Sequence, residues 1–586
     1  MKMTGGDIAV RALEDEGIEY TFGIPGTHNI ELYDSLSRST RVRPVLVTDE
    51  QSASFMADGY ARASGKLAAA NLVPGAGLTH AMSGIAEAFL DGVPMLVLSC
   101  GIRLHTTKGY QLHDVDQMAI ARPVTKAQFR PAEGSEIYAT IRRACRLART
   151  APYGPVMVEV PVDHYLSRHE PGFDAAPEAP APVAAPRPEQ LDELRALLAT
   201  SRRPLLYLGA GAAGAGRDLL ALAERLEAPV ATSIQGKGVF PEDHPLWLWC
   251  GFGEAAPPFV QEIASGCDLT LAIGCRFAEV GTAGYGVQPA GPLVHVDIDP
   301  AVLGRNFPAQ LPIVADAAAF VSALLPHLTP RGPDPGLRET IRAGHAEVWK
   351  EWVPPRDGSR VYPPHLLKTL QEVVGPDSAY STDSGNGTFL AMECLRLAKQ
   401  RSFLAPVDYS CMGYSLPAAL GAALACPGRP VVALPGDGAF LMTGLELLTA
   451  AQNQLPVMVF VLRDRELAQI APVPADCARP QDLQRAAQLR FGRALPRRGR
   501  GVPRARQQRA GGASRAPGPG GRSVAPPGSG GRGHRLFRED LLHPRRGKGH
   551  GVAPALGRPR TLHRPRPRTA AHLGRPSVLD PGCPFV

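Results

Sequence analysis

Pro430-Val431-Val432-Ala433-Leu434-Pro435-Gly436-Asp437-Gly438-Ala439-Phe440 sets a short apolar run against a Gly-Asp-Gly turn, and an amphipathic stretch, Leu441–Ala451, follows it. Strand, glycine turn, helix is the opening of a parallel βαβ unit. Glycine lets a backbone approach a phosphate group, a helix N-terminus supplies N–H donors and positive dipole, and Asp437 adds an oxygen for a hard cation. A simple tight turn would need the same tripeptide. The next apolar run, Val457–Leu462, adds to the phosphate reading by delivering Asp464 and Glu466 at 27 and 29 positions after Asp437. Parallel strands ending side by side bring such groups to one sheet edge, where doubly wound folds bind ligands.

The same alternation extends toward the N-terminus. Arg43–Val47 precedes a helix-like segment from Gln51, Pro94–Leu98 follows another, and Pro204–Leu208, Leu269–Ile273 and Leu293–Asp299 read as further parallel strands. A Pro-rich stretch, 171–188, can form neither helix nor central strand and reads as a linker, and another Pro/Gly-rich break, 326–336, precedes the third unit. The expected architecture is three doubly wound parallel-sheet α/β domains over residues 1–170, 189–328 and 350–471.

Bulk properties suit a soluble enzyme: 586 residues with 44% hydrophobic and 20% charged side chains are too many for one core. The net charge of +8 suggests a polyanion partner until it is located. Residues 472–586 hold 23 Arg and one Lys against five acids, a net +19, which leaves −11 for residues 1–471. Nucleic acid is therefore not an expected partner of the body. That Arg/Gly/Pro-rich stretch reads either as a disordered basic tail or as a reading frame slipped near codon 471. The slip is preferred, because the change is abrupt and interrupts a sheet not yet complete. No apolar run has membrane-spanning length and the N-terminus lacks a basic-then-apolar leader, so a cytoplasmic location without membrane contact is expected. Ten scattered cysteines with no CxxC pair are expected to be reduced thiols.

From residue 1 to about 471 the chain resembles thiamine diphosphate-dependent enzymes of the acetolactate synthase type. Gly436-Asp437-Gly438-Ala439 with Asp464 and Glu466 resembles their magnesium–diphosphate motif, with Asp464 standing where Asn is usual. The resemblance implies Asp437, Asp464 and the main-chain oxygen of Glu466 as Mg²⁺ ligands. Phe22-Gly23-Ile24-Pro25-Gly26 resembles the first turn of the pyrimidine-binding domain, and Thr48–Ala53 the strand end carrying the catalytic glutamate, here Glu50. In the family that glutamate hydrogen-bonds the pyrimidine and so readies the coenzyme's own amine to deprotonate the thiazolium carbon.

Gly75–His80 resembles the pyrimidine-side loop, with Ala76 where Pro is common. Thr382–Gly387, with Ser384, Gly385 and Asn386, resembles a diphosphate-side loop. Asp408–Ala419 resembles the segment whose hydrophobe, here Met412, props the two rings apart while a carbonyl, here that of Ser410, meets the amine. His113 stands where the synthases carry Gln, which fits either a proton-relaying group or an ordinary surface or core histidine. In the middle unit Gly209–Gly214 and Gly274–Phe277 resemble parts of a flavin site that related decarboxylases have lost, so FAD stays open. The implied activity is Mg²⁺-dependent decarboxylation of a 2-oxo acid with carboligation, or aldehyde release as in benzoylformate-type decarboxylases. The implied assembly is a homodimer or homotetramer with each site shared between subunits. An inactive cofactor-binding product is the remaining alternative, because the altered tail replaces elements expected to close the third domain.

Overall fold

Short aliphatic and β-branched runs become the strands of three parallel sheets in the computed structural model, which describes residues 2–173, 183–351, 361–464 and 469. The expectations for 472–586 and for Glu466 fall outside the described residues. The first sheet contains β1 (Tyr20–Gly23), β2 (Arg43–Leu46), β3 (Ala68–Leu72), β4 (Met95–Gly101), β5 (Ala127–Phe129) and β6 (Pro155–Pro161), in the order β2-β1-β3-β4-β6-β5. Every residue of β3, β4 and β6 is buried, as strands covered by helices on both faces must be.

The second sheet runs β9-β8-β7-β10-β11-β12, from β7 (Pro204–Leu208), β8 (Val230–Thr232), β9 (Trp247–Cys250), β10 (Leu269–Ile273), β11 (Leu293–Asp297) and β12 (Leu311–Val314). The third runs β14-β13-β15-β16, from β13 (Ala379–Thr382), β14 (Phe403–Leu404), β15 (Val431–Leu434) and β16 (Val457–Val459). The strands of each of these sheets pair in parallel, so three parallel-sheet α/β domains are present. No helix among the described residues is long and apolar enough to cross a membrane.

The first and third domains share a core. Helix α1 (Glu50–Ser64) starts from the Asp49 cap, whose side chain accepts from the Gln51 N–H, and stops at Gly65 in the left-handed region. It packs along α3 (Ser415–Ala425) through small residues. A Cβ on Gly421 would stand 2.1 Å from the Met56 carbonyl oxygen, and one on Gly59 would stand 2.3 Å from that of Ala418. Only glycine permits that approach. Leu416, Leu420 and Leu424 of α3 then join Phe22, Val45 and Met56 in one buried cluster.

Charged groups tie the domains together beside this contact. Asp91 is fully buried and takes Arg62 at 2.7 Å and the Gln235 amide at 2.8 Å, while Arg276 of the middle domain reaches Asp408 of the third at 2.7 Å. Asp58 holds Arg62 at 2.6 Å and accepts the Tyr414 hydroxyl. Buried charges survive only with such partners.

The helix expected at Leu441–Ala451 differs in the structure. Helix α4 spans Asp437–Thr443 and α5 spans Glu446–Gln452. The break falls at Gly444, where a Cβ would stand 2.5 Å from the Phe440 carbonyl oxygen, so only glycine fits this turn.

Candidate active site

Two sets of loops carry the residues singled out from the sequence. The first gathers at the C-terminal edge of the first sheet. After β1, Gly23-Ile24-Pro25-Gly26 turns on Asn29, whose side chain accepts the Gly26 N–H at 2.7 Å and donates to the Ile24 carbonyl at 3.3 Å. Glu50 opens α1 with its side chain only 11% exposed, 3.4 Å from His80 Nδ1. His80 lies on α2 (Ala76–Leu90), whose Gly77 is so close that a Cβ there would stand 3.2 Å from Glu50 Oε1. Burial, and next the Glu50 charge, push the Tyr33 hydroxyl well above its ordinary range.

His113 comes to the same edge. Its backbone is in the left-handed region, and its carbonyl would be 3.2 Å from a Cβ on Gly75, which precedes α2. The His113 ring packs 5.3 Å from that of His28, and both Nδ1 atoms are buried without a partner among the described residues. Burial first, then the charges of His113 and Arg103, holds the His28 imidazole below its usual pKa. Sequence reading missed His28. The signal was available, because it lies two residues beyond the quoted turn that ends at Gly26.

The second set gathers at the C-terminal edge of the third sheet. Leu462 donates its N–H to the Pro435 carbonyl at 2.9 Å, and Asp437 donates its own to the Leu462 carbonyl at 3.0 Å. The Gly-Asp-Gly turn and the strand end carrying Asp464 therefore lie side by side, with the Asp437 carboxylate accepting the Gly438 N–H at 2.9 Å. Among the described residues, a side chain on Gly436 would meet nothing within 4 Å, and one on Gly385, at φ 134°, would meet only Gln469, at 3.8 Å. Among the described residues the lip between these loops is open where a diphosphate needs backbone approach, so the residues present fit that group.

Asp383 organises this edge from below. Its carboxylate accepts from the N–H groups of Ser384 (3.0 Å), Gly413 (2.8 Å) and Ser415 (2.9 Å), while burial pushes its pKa up to about 7 against their pull. Ser384 Oγ also meets Ser410 Oγ at 2.8 Å, and the Thr443 hydroxyl of α4 donates to the Gly413 carbonyl at 2.8 Å. Ser384, Gly385 and Asn386, the Ser410–Met412 turn and the Gly436–Ala439 turn thus belong to one neighbourhood.

Within a chain α2 runs from one set to the other. Gly77 of α2 touches Glu50, whereas Glu87, farther along α2, accepts the Cys411 N–H at 3.1 Å. Gly77 and Glu87 are ten positions apart, about 15 Å at the α-helical rise.

In the middle domain, Gly209 and Gly211 are explained by packing. A Cβ on Gly209 would stand 2.0 Å from the Gly274 carbonyl oxygen, and one on Gly211 would stand 2.9 Å from Gly274 Cα. Arg276 is spent on Asp408 and the Leu90 carbonyl. The features that suggested FAD are engaged by the protein itself and do not by themselves make a flavin site. Lys237 is likewise buried on Glu242 at 2.8 Å. The eight cysteines among the described residues are free thiols.

Comparison with known proteins matches this layout domain by domain. Residues 3–120 match the thiamine pyrophosphate enzyme N-terminal TPP binding domain, 191–324 the central domain, and 383–484 the C-terminal TPP binding domain. A probable acetolactate synthase large subunit of Methanocaldococcus jannaschii is 33% identical over 488 residues, covering 80% of this chain and 81% of that one. The chain belongs to the thiamine pyrophosphate enzymes. An acetolactate synthase large subunit of Corynebacterium glutamicum is 33% identical over 494 residues, 80% of this chain and 76% of that one. A probable 2-ketoarginine decarboxylase of Pseudomonas aeruginosa is 34% identical over 480 residues, 80% and 83% respectively. Relatives of this thiamine pyrophosphate enzyme thus carry both synthase and decarboxylase names.

Proposed function

We propose that this thiamine pyrophosphate enzyme is a Mg²⁺-dependent 2-oxo acid decarboxylase and carboligase of the acetolactate synthase kind, working as a homodimer or higher even oligomer. The observation that carries the reading is the placement of Asp437 beside the strand end bearing Asp464, under an open glycine lip. Asp437 and Asp464 would hold Mg²⁺ against the diphosphate, with Gly436, Gly438, Ala439, Ser384, Gly385 and Asn386 lining it; Glu466 keeps the ligand role its position implies. Thiamine diphosphate, when bound, supplies a carbon nucleophile for the substrate carbonyl and an electron sink after CO₂ departs.

The protein's own groups do the rest. Glu50 would hydrogen-bond the pyrimidine ring and exchange a proton with it, with His80 3.4 Å away, while Gly23–Gly26 and Gly75 would bound the ring's pocket. Met412 is the apolar prop and Ser410 the carbonyl acceptor. The course of α2 supports the dimer, because Gly77 meets Glu50 and Glu87 meets the Cys411 turn ten positions, about 15 Å, farther along the same helix. A second copy must complete each site, and the exposed apolar face of Leu441, Met442, Leu445 and Leu448 suits such a contact.

Calorimetric titration of the purified chain with thiamine diphosphate should show binding that requires Mg²⁺, and Asp437→Ala should weaken it at least about tenfold, roughly 1.4 kcal/mol. Equal binding by the variant would remove the metal assignment.

One observation favours simple decarboxylation with aldehyde release. His113 stands where the synthases carry Gln, next to His28 and the turn before α2, and an imidazole there can deliver a proton to a carbon that a synthase would keep free to attack a second carbonyl. Product analysis after incubation with pyruvate, 2-oxobutyrate, glyoxylate or benzoylformate separates the two outcomes: acetohydroxy acid or aldehyde.

A further inference from the structure

We propose that Glu87 is a positioning residue of the cofactor site: through the Cys411 N–H it fixes the turn that presents the Ser410 carbonyl and Met412 to the coenzyme. The proposal rests on the reading of Ser410 and Met412 given above. Ser410 and Gly413 both have positive φ, 61° and 86°, so the two residues between them sit in a turn with left-handed backbone at each end. Asp383 holds the far side of that turn through the Gly413 and Ser415 N–H groups. The near side is held from the first domain. Glu87 Oε2 accepts the Cys411 N–H at 3.1 Å, and the Cys411 thiol donates to the Ser83 carbonyl one turn earlier on α2, at 3.4 Å.

Glu87 is an expensive residue for a purely structural contact. It is fully buried, and its Oε1 has no partner among the described residues. Burial first, then the like charge of Asp91, pushes its pKa up to about 8. Arg62 and the Cys411 N–H oppose the shift, Asp58 adds to it, and the Cys411 thiol and Tyr414 hydroxyl complete the surroundings.

The folded chain therefore keeps a proton that the unfolded chain loses near the ordinary glutamate value. Between that value and about 8, folding becomes less favourable as pH rises, by at most about tenfold per pH unit from this group. Above about 8 the loss is complete.

The test combines amide hydrogen exchange over 408–415 with the affinity of the full chain for thiamine diphosphate and Mg²⁺. Glu87→Gln keeps an acceptor for the Cys411 N–H, so exchange and affinity should stay near wild type while the fall of the thermal midpoint from pH 5 to pH 8 becomes shallower. Glu87→Leu and Glu87→Met remove the acceptor in two different shapes. Both should speed exchange in 408–415 and weaken the coenzyme by about tenfold, the effect of one stranded buried donor, with exchange in α1 unchanged. Wild-type exchange and affinity in both apolar variants would overturn the role alone. A wild-type chain that binds no coenzyme would overturn the underlying reading and this role with it.

Discussion

Replacing Glu50 by Gln should cut turnover by about 10²–10⁴-fold while leaving affinity for the coenzyme within a few-fold of wild type. Gln fills the same space at the start of α1 and can still donate to or accept from a pyrimidine nitrogen. It cannot exchange a proton there. The site is built so that this one atom matters: the Glu50 side chain is nearly buried, with Gly77 giving it room and His80 3.4 Å away. A low-dielectric surrounding makes a proton-sharing hydrogen bond stronger than it would be in water. Single-turnover CO₂ release, with coenzyme occupancy measured separately, checks the split between binding and chemistry. Unchanged turnover in the variant would take Glu50 out of the mechanism.

Asp383→Ala should cost about 3–5 kcal/mol in folding free energy, because it strands the buried N–H groups of Ser384, Gly413 and Ser415 at once. Asp383→Asn should fall between, since its amide must turn an NH₂ toward one of three donors. Urea denaturation of the two variants checks the order. A loss under about 1 kcal/mol for Ala would mean that the turn finds other acceptors. Because the turn carries Ser410 and Met412, coenzyme binding should fall in step with stability.

Much of this was legible in the residues. Pro204–Leu208 and Leu269–Ile273 are strands over the spans the sequence suggested, because an all-apolar run bounded by breaks has few other ways to be buried. Acetolactate synthase-type likeness, read from the turns at Gly23 and Gly436, is matched by the family comparison. What escaped was set by tertiary contact. The need for glycine at 444 depends on how closely the Phe440 carbonyl approaches it. Glu87 reads as one acid in an Ala-rich helix, and only the arrival of Cys411, more than three hundred residues away, gives it a partner. Asp383 was quoted within a loop, but two of the three N–H groups it accepts come from a turn thirty residues on. His28 was visible and overlooked, and the structure sets its ring against that of His113.

The reach of α2 carries one more consequence. In the proposed dimer each helix starts at one coenzyme and ends at the other, so damage to the two halves of a chain is not equivalent to damage to one enzyme. A subunit crippled at Glu50 and a subunit crippled at Asp437 are each dead as homodimers, yet together they rebuild one sound centre per mixed pair. Random mixing of the two mutants would then restore about a quarter of full output, a pattern of complementation between alleles that a self-contained monomer cannot show.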